Sequence, residues 1–177
     1  MTEFNDIYDR DRNLTGRIHR RGTPWNKGEY GLVVCVWVYD GKGKVLLTRR
    51  APQKSAPGTW ENSGGAVKAG EDSLTAIVRE LREETGIVAA PEEFELLDAC
   101  TDRGTHYDHY CLLRDSAKVQ VVLQPGETDG VQWATFADVH EMIRTRQICK
   151  VIGKQFLRHE PMLLARQTQT GSLLQIS

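Results

Sequence analysis

The sequence predicts an α/β fold, a mixed β-sheet with helices packed on it, and three observations predict it. Residues 32–39, LVVCVWVY, form an unbroken β-branched and aromatic run that reads as a buried strand. From residue 71 to 85 the period becomes helical, with Leu74, Ile77, Val78 and Leu81 on one stripe. Strand-like runs then return at 94–100, 106–113, 119–123 and 131–136, with helical patterns at 138–144 and 148–158.

Taken in order, residues 1–24 form an N-terminal arm or small hairpin ahead of a main domain at 25–165. Behind the first buried strand, Asp40-Gly41-Lys42-Gly43-Lys44 is a turn sequence, so residues 45–48 return as the second strand of a hairpin. Pro52, Pro57, Gly58, Gly64 and Gly65 make 49–65 a loop with short extended pieces. Gly86 is placed to end the 71–85 helix in the left-handed conformation. Residues 166–177, rich in Gln, Ser and Thr, read as a frayed tail.

Composition narrows the classes of function. A chain of 177 residues is one domain with a short appendage. Hydrophobic residues at 40% and charged residues at 27% exclude a wholly disordered chain. A net charge of −1 excludes a dedicated, highly basic nucleic-acid binder. The apolar run at 30–39 is half the roughly 20 residues that cross a bilayer, and the first ten residues are too polar for a secretory signal. A soluble, cytoplasmic domain is therefore expected, with no membrane partner.

Cys35, Cys100, Cys111 and Cys149 are far apart, with no C-x-x-C pair, and read as reduced thiols rather than a zinc or disulfide frame. His106 and His109 form an isolated H-x-x-H. In a strand their side chains would point to opposite faces, so they do not read as a metal pair.

The chemistry is written at residues 65–87, GAVKAGEDSLTAIVRELREETGI. Glu80, Glu83 and Glu84 are related by i, i+3 and i+4 and share one helix face, about 120° around from the apolar stripe. Like charges so placed cost only roughly 0.2–0.5 kcal/mol per pair, so an acidic face can be plain solvated surface. It can also be a site where a hard divalent cation takes oxygen ligands. The spacing decides. Gly65, Glu71, Arg79, Glu80, Leu81, Glu83, Glu84, Gly86 and Ile87 fit G-x5-E-x7-R-E-U-x-E-E-x-G-U without a mismatch, U being aliphatic. A chance match is on the order of 10⁻⁹ per starting position.

This segment resembles the signature of the Nudix hydrolases, and the wider resemblance runs over residues 6–142. It implies an α/β/α sandwich around a mixed sheet. It implies that Glu80, Glu83 and Glu84 hold a catalytic Mg²⁺ or Mn²⁺, with a carbonyl of the Gly64-Gly65 loop, taken as Gly65, completing the protein's share of the shell. Glu71 and Arg79 would brace loop and helix. A further acid often comes from a loop before a late Trp-containing strand; ahead of Trp133, Glu127 or Asp129 could serve, and Glu127 is the candidate taken. The implied reaction is attack of a metal-activated water on a diphosphate linkage in a nucleoside-diphosphate-type substrate.

Residues 46–63 and the N-terminal arm are similar to type I isopentenyl-diphosphate isomerases, relatives with the same fold. In those the residues matching Arg50 and Lys54 contact the diphosphate, which makes Arg50 and Lys54 the substrate-binding candidates. The isomerase reading fails after Asn62-Ser63, where that pattern needs a Cys followed by a His and this chain has Gly64-Gly65-Ala66-Val67. A non-catalytic nucleotide-binding module is the other alternative; such modules commonly lose metal carboxylates, and none is lost here. Trp25, Trp60, Tyr107, Tyr110 and Trp133 are expected in the core rather than on a ligand. Homodimers are common among relatives, and the arm could mediate one.

Overall fold

A computed structural model describes residues 2–173. The chain opens with an antiparallel hairpin, β1 (Phe4–Tyr8) and β2 (Leu14–Arg20). Its turn is tied by the Asp9 carboxylate, which accepts from the amides of Asp11 and Asn13, both at 2.9 Å. The hairpin is stitched to the main body next to the residue 64–70 loop. Asn5 donates to the Val67 carbonyl (2.7 Å), Ala69 to the Phe4 carbonyl (2.9 Å) and the Gly70 amide to Asp6 (2.7 Å).

Seven strands make the main sheet: β3 (Gly31–Tyr39), β4 (Lys44–Arg50), β5 (Trp60–Glu61), β6 (Ser63–Ala66), β7 (Glu95–Asp102), β8 (Thr105–Leu113) and β9 (Thr128–Thr135). The order is β5-β4-β3-β8-β7, with β6 also on β3 and β9 also on β4. β3 and β8 run parallel and the other pairs antiparallel, so the sheet is mixed. β3 carries no polar face because both of its faces are covered. Val34, Val36 and Val38 pack with Ile77 and Leu81 of α1 (Ser73–Thr85). Trp37 and Tyr39 pack with Val139 of α2 (Phe136–Arg144) and Phe156 of α3 (Lys150–Leu173).

Four expectations are corrected. Trp25, expected in the core, is 42% exposed and stacks on His19 of β2 at 3.7 Å. Residues 119–123 join no strand; the amides of Val122 and Gln124 run instead to the carbonyls of Thr85 and Glu84 at the end of α1 (2.8 and 3.4 Å). The last helix starts at Lys150 rather than at 148, since Ile148 bridges to Trp60 of the sheet. It also runs to Leu173, through most of the stretch expected as a tail, and residues 174–177 lie outside the described residues.

The two histidines of H-x-x-H do face opposite ways. His106 stacks on Tyr30 at 4.9 Å on the hairpin side, and His109 meets His159 of α3 at 4.6 Å. No cysteine is disulfide-bonded; Cys35 and Cys111 are buried and Cys100 and Cys149 half-buried.

Candidate active site

α1 is built to present its acidic face at a fixed height. Asp72 caps its start, accepting from the Thr75 amide at 2.7 Å, and Gly86 ends it at φ 70°, its N–H on the Arg82 carbonyl at 2.9 Å. With Ala76, Ile77 and Leu81 buried beneath, Glu80 and Glu84 turn toward the Gly64-Gly65 rung of β6. Contact there is close, against backbone at Gly64 and against a carboxylate at Gly65. A Cβ at Gly65 would stand 2.4 Å from the Glu80 carboxylate, and one at Gly64 2.2 Å from the Val34 carbonyl oxygen.

Arg79 organises the cluster. Its Nε and one terminal nitrogen grip both oxygens of Glu71 (2.7 and 2.8 Å), and its other nitrogen reaches Glu80 at 2.7 Å and Glu83 at 3.2 Å. Glu71 also accepts from the Lys68 amide at 3.1 Å, so one guanidinium joins the loop to the helix. The Arg79 hydrogen bonds hold the Glu71 carboxyl below its ordinary range. Glu80 is raised by burial, against the pull of Arg79. Glu84 has no cationic partner among the described residues. Burial, then the charges of Glu80 and Glu61, push it up to about 8, and only the Gly64 amide at 3.3 Å and Ser63 oppose the shift.

The donor set fits a hard divalent cation: carboxylate oxygens on one helix face, a glycine backbone against them and one carboxylate left uncompensated. The side chains are not yet gathered on one point. Among the described residues no three His, Cys, Asp or Glu stand together as a ready metal shell.

A polar cleft of about 180 Å³ opens over these groups. Lys54 and Glu127 both line it, and they form an ion pair with each other. Arg50 does not line it. Its guanidinium binds both oxygens of Glu61 (2.7 and 2.8 Å) and the carbonyl and hydroxyl of Ser55 (2.5 and 2.8 Å). Asp129, the alternative to Glu127, pairs with Arg49 at 2.7 Å.

Two groups of site residues carry no signal in the sequence. Glu61 reaches the field of Glu84 by following Trp60 into β5, where a lone acid carries no signal. Glu3, Asn5 and Arg21 line the cleft from the arm, and only the docking of the hairpin brings them there.

Comparison with known proteins identifies the family and the fold. The model of the NUDIX domain matches residues 29–150. An uncharacterized Nudix hydrolase of Listeria monocytogenes is 36% identical over 85 residues, 47% of this chain and 50% of that protein, so the chain spans half the relative's length. The isopentenyl-diphosphate Delta-isomerase of Shigella flexneri is 35% identical over 117 residues, 61% of this chain and 63% of that one. The fold is that of DR0079 from Deinococcus radiodurans, with TM-score 0.70 and 22% identity over 83% of this chain and 92% of that one. Family model, sandwich fold and acidic helix face agree, and the chain belongs to the NUDIX domain family.

Proposed function

We propose that this protein hydrolyses a diphosphate linkage in a nucleoside-diphosphate-type substrate, using a divalent cation, Mg²⁺ or Mn²⁺, held by Glu80, Glu83, Glu84 and the carbonyl of Gly65. The observation that carries this reading is the intact carboxylate set against a glycine rung, with Glu84 lacking a cationic partner among the described residues. A cation so held lowers the pKa of a bound water and offsets the charge on phosphate oxygens. The chain's own groups then have distinct tasks. Arg79 holds Glu80 and Glu83 in place, and Glu71 holds Arg79. Lys54 offers positive charge to a phosphate once it leaves Glu127, and Glu127 then stands free as a further acid at the cleft. Arg50 supports the loop that carries Lys54.

Kinship with the isomerase does not extend to its chemistry. That pattern needs a Cys followed by a His just past Asn62-Ser63, where this chain has Gly64-Gly65-Ala66-Val67, and at Gly64 a Cβ would meet the Val34 carbonyl oxygen. The test is release of a phosphorylated product from a panel of nucleoside di- and triphosphates and nucleoside diphosphate sugars, read by mass. Release that needs Mg²⁺ and is abolished by Glu84→Gln supports hydrolysis. Tight nucleotide binding without turnover of any panel member would instead make the chain a binding module. Conversion of isopentenyl to dimethylallyl diphosphate would make it an isomerase.

A further inference from the structure

A groove of about 220 Å³ lies between the segment that joins β2 to β3 and the first residues of β3 and β8. It adjoins the carboxylate cleft, because Asn5, Arg21 and Ala66 line both. At about 180 and 220 Å³, each falls short of the roughly 300–1,000 Å³ of a site for a whole small molecule. The two therefore read as the ends of one site, with the N-terminal hairpin as their common wall.

The aromatic side of the groove is fixed in advance. Trp25 is 42% exposed, yet its ring lies on His19, with centroids 3.7 Å apart and planes 13° from parallel. It also lies against Gly31, where a Cβ would come within 2.9 Å of the indole, so a larger residue there would push the ring away. The segment that carries Trp25 is pinned at both ends. Around Gly22, at φ 89°, the amide and hydroxyl of Thr23 both donate to the Arg20 carbonyl (3.2 and 2.7 Å). At the other end Glu29 accepts from the amide and side chain of Asn26 (3.1 and 3.0 Å) and from Arg17 (2.6 Å). An exposed ring so restrained has already lost the freedom that binding would otherwise remove.

Polar groups stand ready beside it. His19 lines the groove at 7% exposure and has no hydrogen-bond partner among the described residues. Where groove and cleft meet, Arg21 pairs with Glu3 in an exposed ion pair, a kind that holds its partners weakly. Lys68, on the same wall of the cleft, has no ion-pair partner among the described residues.

We propose that this groove takes the nucleobase end of the substrate, a planar, hydrogen-bonding aromatic ring. The ring packs against Trp25 and His19, while Arg21 and Lys68 meet the phosphate that leads to the carboxylates. The proposal rests on the reading of the chain as a diphosphate hydrolase, and it makes the hairpin the element that selects what the diphosphate carries.

The test uses the full chain with Mg²⁺ and the α,β-methylene analogues of ADP, GDP, CDP and UDP, whose P–C–P bridge is not hydrolysed. Methylenediphosphonate, the same bridge without a nucleoside, is the reference, and binding is followed by calorimetry and NMR. At least one nucleotide analogue should bind at least about tenfold more tightly than the reference, and Trp25→Leu should lower that ratio by at least about tenfold. In the parent chain, saturable shifts are expected at residues 19–25, the Trp25 indole N–H among them. That mapping needs no variant, and the spectrum of Trp25→Leu reports whether it is folded. A ratio near one in the parent, an unchanged ratio in the folded variant, or shifts at residues 150–155 without any at 19–25 would overturn the site. Hydrolysis is scored separately on the natural nucleotides. Turnover with an unchanged ratio keeps the hydrolase and removes the groove, whereas a ratio that falls without any turnover keeps the groove and removes the hydrolase.

Discussion

At position 65 a methyl group is enough to disturb the site. The Gly65 Cα stands against the Glu80 carboxylate, and a Cβ would come within 2.4 Å of it. The strain does not come from the backbone, because Gly65 is an ordinary strand residue of β6, so the cost falls on the side chain opposite. Gly65→Ala should displace Glu80 by an ångström or so and lower kcat about a hundredfold, with the urea midpoint near that of the parent. An unchanged kcat would show that the rung does not set the position of Glu80. Much of this neighbourhood is legible in the sequence, because Glu80, Glu83 and Glu84 fall on one face by helix geometry alone. The environment of Arg50 is not legible. Its partner Glu61 lies eleven residues on, across a loop whose path the sequence does not state, and the pairing depends on β4 and β5 lying side by side. The resemblance therefore makes Arg50 a phosphate-contacting candidate, whereas the structure directs its guanidinium to Glu61.

Among the elements, α1 positions the carboxylates and its two ends are the places to test it. Asp72 supplies one capping hydrogen bond, so Asp72→Ala should lower stability by about 1 kcal/mol. Gly86 is at φ 70°, and a Cβ there would also sit 3.1 Å from that of Val122, so Gly86→Ala should cost at least about 1 kcal/mol. Urea midpoints measure both, and a neutral Gly86→Ala would contradict the left-handed cap. The contact with Val122 also explains the missing strand. Alternating β-branched residues at 119–123 look like a strand, yet their neighbour is the end of a helix. Val119 and Val121 pack on the α1 core while the Val122 amide serves the Thr85 carbonyl. Local pattern reports which side is buried and cannot report what buries it. The loop at 51–59 gives the second test at this scale. Arg50 joins its Ser55 to β5, and Gln53 and Lys54 join it to Gly126 and Glu127. Arg50→Ala should speed tryptic cleavage after Lys54 by about tenfold without lowering the global urea midpoint by a similar factor. An unchanged cleavage rate would mean that Arg50 does not hold the loop.

The whole molecule rests on two cores separated by the sheet, and the one toward α3 contains buried imidazoles that make stability depend on pH. His159 is fully buried; the Trp37 indole N–H donates to its Nδ1 at 3.1 Å, which places its proton on Nε2, facing Asp98 at 3.4 Å. His109 packs against it beside Tyr107. Burial pushes both below the ordinary range, His109 to about 3, with the neighbouring His159 as its second cause. The charged groups acting on the pair are Asp98, which favours protonation, and Arg158, which opposes it. In the unfolded chain each histidine takes up a proton near pH 6.5, and in the folded chain His109 does not until about 3. Across that window the unfolded state binds more protons at these two sites, so the histidines' contribution to stability is complete above about 6.5 and falls as the pH drops. The slope approaches 1.4 kcal/mol per pH unit for each histidine held fully neutral. The carboxylates held below their ordinary range, such as Glu71, add to the loss only nearer pH 4.5, whereas Glu84, pushed up to about 8, gains stability as the pH falls and opposes the histidines, so their contribution is read between about pH 6 and 5 as the difference in slope between parent and variant. His109→Leu keeps the volume roughly constant, removes an imidazole whose Nδ1 has no partner, and should remove about one proton's worth of that slope. A slope identical to that of the parent chain would mean that His109 is protonated in the folded state, and the account of this core as a neutral imidazole pair would then fail.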